Sequence, residues 1–166
     1  MKNIYRKLLI LISLVALLTS CEKPKVIEDS ELLNNLYSSS VDTLTYHSNK
    51  YILEACLYRD FFPGGPIPTK RPLIALISLV NVDSIKISTD LDITKLYVIN
   101  GSLIWVSSPI NSDDVNVPDY KLNKKNTDGP EWETDILVDV VIEITIKTTN
   151  DKYLIIKRDQ IIERVE

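Results

Sequence analysis

The chain predicts an all-β fold of about seven to nine short strands, and three observations carry that expectation. First, from Val41 onward apolar residues recur mostly with period two, as half-buried strands require. The clearest case runs from Ile136 to Ile146, where Ile136, Val138, Val140, Ile142, Ile144 and Ile146 alternate with mostly polar neighbours such as Asp139, Glu143 and Thr145. One side of that strand should pack and the other should meet water. Second, Asn100-Gly101 lies between two apolar runs and supplies the positive φ of a tight hairpin turn. Third, no sustained helical period and no fixed repeat appears in this region. Together these point to an Ig-like antiparallel β-sandwich over residues 41–166, with a Greek-key barrel as runner-up. The term is architectural, because paired cysteines flanking a tryptophan are lacking.

In chain order, residues 1–20 come first and stand apart. Lys2, Arg6 and Lys7 precede an eleven-residue apolar run, Leu8 to Leu18, interrupted only by Ser13. A basic start, a short apolar stretch and small residues after it make a secretory signal. The run falls short of the roughly 20 residues that span a bilayer as a helix. Leu18-Thr19-Ser20-Cys21 resembles the bacterial lipobox. That resemblance implies cleavage before Cys21 and a diacylglycerol, with palmitate-type acyl chains, on its thiol. Each buried methylene contributes about 0.8 kcal/mol, so the two or three chains of such an anchor hold firmly.

The leader carries three of the 19 basic residues and none of the 23 acidic ones, so the mature chain has a net charge of −7. Nucleic acid and anionic headgroups both need a basic face, and the balance argues against them. With Cys21 acylated, Cys56 is the sole thiol and no intrachain disulfide can form. The remaining 146 residues suit one domain stabilised by its core.

Residues 21–40 read as a lipidated tether, polar and Pro-containing at Glu22-Lys23-Pro24-Lys25, with Ser30 as cap of a short helix bearing Leu32, Leu33, Leu36 and Tyr37. Val41–His47 and Tyr51–Tyr58 then form a first hairpin through residues 48–50. Leu73–Val80 is a central strand by its continuous apolar run, and Ile85–Ser88 a brief edge strand. Asp92–Ile99 and Leu103–Ser107 flank the Asn-Gly turn. The long strand ending at Ile146 turns through residues 149–152 into Tyr153–Arg158, and beyond a break at Asp159-Gln160 comes Ile161–Val165. Two loops interrupt this series. Residues 61–72 hold half of the eight prolines and two of the four glycines, which makes a stiff surface. Residues 108–134 form a long polar loop.

The inventory for catalysis is thin. His47, the single histidine, lies at a turn with no nucleophile assigned to it. Cys56 sits between Ala55 and Leu57 and reads as a buried, inert thiol. A structural zinc site lacks ligands. Asp113, Asp114 and Asp128 offer the oxygens calcium prefers, although their spacing fits no EF-hand and solvated loop acids are the ordinary reading. Asp128, Glu131 and Glu133 are the carboxylates a glycosidase-like pair would draw on. No cofactor is expected. Trp105 is the expected core plug. Trp132 is the expected lid at one end of the sandwich, and with Arg59, Phe61 and Phe62 it makes up the candidate ligand-binding set.

The overall plan of lipobox, tether and one small β-domain resembles the small lipoproteins of Bacteroidota. In that group a lysine with acids after the cysteine accompanies surface display. Here Lys23 is present, but Pro24 stands where an acid is expected. Glu22 rather than aspartate follows Cys21, so an inner-membrane retention signal is lacking. The resemblance therefore implies an outer-membrane anchor facing the periplasm. Three function classes follow in order. The first is a non-enzymatic module binding another envelope protein or polymer through its loops. The second is a peptidase inhibitor using residues 61–72, and the third an enzyme using loop carboxylates.

Overall fold

The computed structural model describes residues 24–63, 70–114 and 116–166. Residues 1–23, with the expected leader and Cys21, residues 64–69 of the proline-rich loop and residue 115 lie outside them. The described chain is all-β apart from one helix, and its eleven strands form a single curled, mixed sheet. They begin with β1 (Lys25–Glu28), followed by α1 (Ser30–Ser39), β2 (Ser40–Val41) and β3 (Leu44–Tyr46). Then come β4 (Asn49–Asp60), β5 (Leu73–Asn81), β6 (Leu91–Asn100) and β7 (Leu103–Ser107). The last four are β8 (Ile110–Asn111), β9 (Lys121–Asn126), β10 (Leu137–Ile146) and β11 (Lys152–Val165). Neighbours run in the order β1-β7-β6-β10-β11-β4-β5-β9-β8, with β2 beside β11 and β3 beside β4.

Strand β11 makes the curl. Its first half pairs antiparallel with β10, and its last four residues pair parallel with β4, from Ile162↔Leu57 to Val165↔Asp60. The transfer happens at Asp159, which has a φ of 56° and lies where the register with β10 shifts between Val138 and Val140. A bulge adds a residue and bends the strand. The expected break at Asp159-Gln160 is thus a bend within one continuous strand. The two halves of the sheet face each other over one core. Leu53, Leu57, Leu73, Ile77 and Leu79 come from one side, and Ile93, Val98, Trp105, Val140, Ile142 and Ile144 from the other.

Three expected hairpins form, counting that of β10 with β11, although the first strand is only Leu44–Tyr46 and Val41 pairs with β11 instead. Tyr46 pairs with Asn49 across His47 and Ser48, both at positive φ, so the turn is one residue earlier and tighter than residues 48–50. Asn100 pairs with Leu103 across Gly101, whose φ is 61°.

Five expectations are corrected. The segment 21–40 is no free tether from Lys25 onward, because Lys25–Glu28 pairs with Val106–Leu103 of β7 and α1 packs on the outer face of the sheet. Asp29, not Ser30, caps α1, accepting the Leu32 amide at 2.9 Å. The helix also dries the outer face of β10 that was expected to be wet. Leu36 packs there with Tyr97, Ile99, Ile104, Val141 and Ile156. Glu143 is buried on the same face and accepts from Thr94 Oγ1 at 3.0 Å and Lys152 Nζ at 3.1 Å. Lastly, residues 108–134 are no structureless loop, since β9 pairs with β5 along Ala75–Val80, while Ile85–Ser88 forms no strand.

Candidate functional site

The two outer edges of the curled sheet, β7 with β1 on one side and β9 with β8 on the other, do not meet by backbone pairing. The chain itself steps from one edge to the other through residues 108–109, between β7 and β8, and side chains add further ties. Lys124 of β9 binds Asp92 of β6 at 2.9 Å, and Asn126 of β9 donates to the Ser107 hydroxyl of β7. Beside these ties lies a cleft of about 470 Å³ with Trp105 in its wall, lined also by Lys25, Ser107, Ile110, Asn126 and Asp128. Immediately past Asp128, the chain crosses the end of the core. Gly129 is required there, because a Cβ would stand 2.6 Å from the Leu73 carbonyl oxygen and 2.8 Å from the Trp105 ring. Its amide donates to that same carbonyl at 3.0 Å.

Three residues further on, this crossing meets a cluster of arginines. Arg59 follows Leu57 on the inner face of β4, and its side chain is only 12% exposed. Its Nε donates to the Arg71 carbonyl at 2.7 Å, its Nη1 donates to the Trp132 carbonyl at 2.8 Å, and its Nη2 lies 3.7 Å from Glu131. Arg59 therefore bolts the end of the proline-rich loop to the crossing segment. Its partner carboxylate is Glu131, not the adjacent Asp60. The Asp60 side chain instead accepts the Phe62 amide at 2.8 Å.

Phe61 is the centre of the cluster. Its amide donates to the Val165 carbonyl at 2.7 Å, which sets the ring beside the end of β11. The guanidinium carbons of Arg164, Arg71 and Arg59 lie 4.0, 4.7 and 5.2 Å from the ring centroid. Each is within cation–π range, worth about 0.5–1 kcal/mol at exposed sites. Glu166 binds Arg164 at 2.5 Å, but Arg71 has no carboxylate partner among the described residues. Phe62 points outward, 63% exposed, and Trp132 packs half-buried against the core. The four residues expected to form a ligand-binding set thus share one end of the molecule, with Arg59 and Trp132 as its support and Phe61 and Phe62 nearer the surface. Arg71 and Arg164 were not anticipated. They are 93 positions apart in the chain, and only the pairing of β11 with β4 brings them together.

The remaining candidates do not converge. Asp113 is ion-paired with Lys125, and Asp114 accepts from the Ser112 hydroxyl at 2.6 Å. Asp128 lines the cleft, a different cavity from the one beside Asp113 and Asp114. Among the described residues no three His, Cys, Asp or Glu side chains gather as a metal site. Glu131 is held by Arg59, so it is not a free partner for Asp128 or Glu133. His47 is exposed and stacks on Tyr46, ring centroids 4.1 Å apart. The expectation of a buried Cys56 is corrected, because the thiol is on the exposed face of β4. Partial burial and the nearby Glu163 carboxylate push its pKa up, which disfavours the thiolate a nucleophile needs. The described residues contain no helix long and apolar enough to cross a membrane.

No protein-family model matches the chain, and neither a curated protein nor a solved structure is significantly similar to it.

Proposed function

We propose that the protein is a lipid-anchored lipoprotein of the cell envelope, held through acylated Cys21, whose β-domain is a non-enzymatic binding module. The anchor faces the periplasm from the outer membrane in this reading. Support for the anchor comes from the basic start, the short apolar run and Leu18-Thr19-Ser20-Cys21. The observation that carries the binding role is the gathering of Arg59, Arg71 and Arg164 around Phe61 on a chain that is acidic overall. Like charges brought this close repel, and Glu131 on Arg59, Glu166 on Arg164 and the nearby Asp60 offset part of that repulsion while leaving Arg71 without a carboxylate partner among the described residues, so an incoming anionic group would be welcomed there. Arg71 is the natural first contact. An Ig-like sandwich belongs to the same reading. The two facing halves and their shared core support it, and the continuous β11 gives it a half-barrel character.

The anchor is tested by growing cells on labelled palmitate. Wild type should take up label and sediment with membranes, and Cys21→Ser should do neither. Membrane retention of Cys21→Ser, with the leader still removed at the same bond, would overturn the reading.

A further inference from the structure

We infer that the arginine–phenylalanine end of the domain docks on the phosphate layer of the membrane that carries the anchor. The inference rests on the lipoprotein reading and names the partner of the same end. Its first support is the reach of the chain. Lys25 already pairs with Val106, and only four residue steps separate it from Cys21. Four extended steps span at most about 14 Å, so an acylated Cys21 would hold Lys25 close to the headgroups.

The second support is where that link enters. Lys25 lines the cleft together with Asn126, Thr127 and Asp128. From Asp128 another four steps, again about 14 Å at most, reach Trp132, whose carbonyl Arg59 grips. The arginine end therefore lies within reach of the same bilayer.

The third support is its chemistry. Arg71 has no carboxylate partner among the described residues, Lys70 beside it is exposed, and Phe62 is 63% exposed. Guanidinium forks suit phosphate oxygens, and an aromatic ring suits the boundary between headgroups and acyl chains. The net charge of −7 in the mature chain opposes general attraction to an anionic surface, which makes this local basic edge the face that can approach one.

The full chain, lipidated in a bacterial host, is reconstituted through its anchor into vesicles of phosphatidylethanolamine and phosphatidylglycerol with brominated acyl chains. A Phe62→Trp variant, compared with the unsubstituted protein, reports depth at this end. Its added emission should be quenched by the brominated lipid, and Arg71→Glu should remove more than half of that quenching while the protein still floats with the vesicles. Lys70→Glu, an exposed change outside the arginine–ring contacts, should weaken quenching in the same direction with an unchanged melting temperature. Flotation without quenching would overturn the docking and leave the anchor standing. Quenching indifferent to both charge reversals would overturn the phosphate contact. Failure to float at all would remove the anchor and, with it, the docking.

Discussion

At the scale of single residues, Arg59 shows how one side chain serves two segments that are far apart in sequence. Residues 71 and 132 belong to loops entering β5 and preceding β10, and both present backbone carbonyls to the same guanidinium. Hydrogen bonds to charged groups contribute about 1.5–3 kcal/mol each, and a fork that is mostly buried retains much of that. Arg59→Met keeps the apolar stem but abandons both carbonyls. It should destabilise the domain by about 2–4 kcal/mol, read as a fall in the denaturant midpoint with an unchanged slope. Arg59→Lys should recover only part of the loss, since one ammonium cannot reproduce the planar fork. A midpoint unmoved by Arg59→Met would show that the bolt carries no load. The residue type at position 59 was readable in the sequence as something notable before a stiff loop. Its partners were not, because nothing local to Arg59-Asp60 distinguishes a bond to Glu131 from one to Asp60.

At the scale of elements, the legible parts were those where one face alone decides. The alternation in β10 and the Asn100-Gly101 turn are of this kind. The docking of α1 was missed, although a signal for it exists. Leu96, Tyr97, Val98 and Ile99 are consecutive and all buried, as are Val140, Val141 and Ile142. Strands with no polar side need cover on both faces, and α1 is the cover for the outer one. β9 was missed for the opposite reason. Its buried side presents Lys124 and Asn126, which a period-two search for apolar residues passes over. The docking of α1 has a pH signature. Tyr37, near the helix end, donates its hydroxyl to Asp139 Oδ2 at 2.8 Å, and the other oxygen of Asp139 accepts the Asp159 amide at the bulge. Burial first, and then the hydrogen bond and negative charge of Asp139, push the Tyr37 pKa from 10.0 up to about 12. The folded state therefore holds this proton more tightly than the unfolded chain does. The stability it contributes is complete below pH 10 and is lost as pH rises through 12. Wild type should lose stability over that interval more steeply than Tyr37→Phe, followed by chemical denaturation at fixed ionic strength. Parallel curves for the two proteins would show that the tyrosine is not held by Asp139.

At the scale of the whole molecule, the question is whether the two halves of the sheet can come apart. Along one side their edges are joined by the two-residue link from β7 to β8 and by the side-chain ties Lys124–Asp92 and Asn126–Ser107. On the other side β11 belongs to both halves by backbone pairing, and Ile162, fully buried where it crosses, exchanges hydrogen bonds with the crossing segment through Ile136 and Asp135. Large buried residues of both halves join one core cluster between them. Neither half could keep its inner face dry alone, and exposing that much apolar surface at about 25 cal/mol per Å² leaves no stable half-folded state. The domain should therefore unfold in one transition. Ile162→Ala removes buried atoms at the crossing point and should cost about 2–5 kcal/mol. The loss should appear equally in both halves. Hydrogen exchange should show amides of β5, on one side of the curl, and β6, on the other, losing protection together and by the same free energy. Protection that falls in β5 while β6 keeps its own would mean that β11 is a hinge between two separately stable layers.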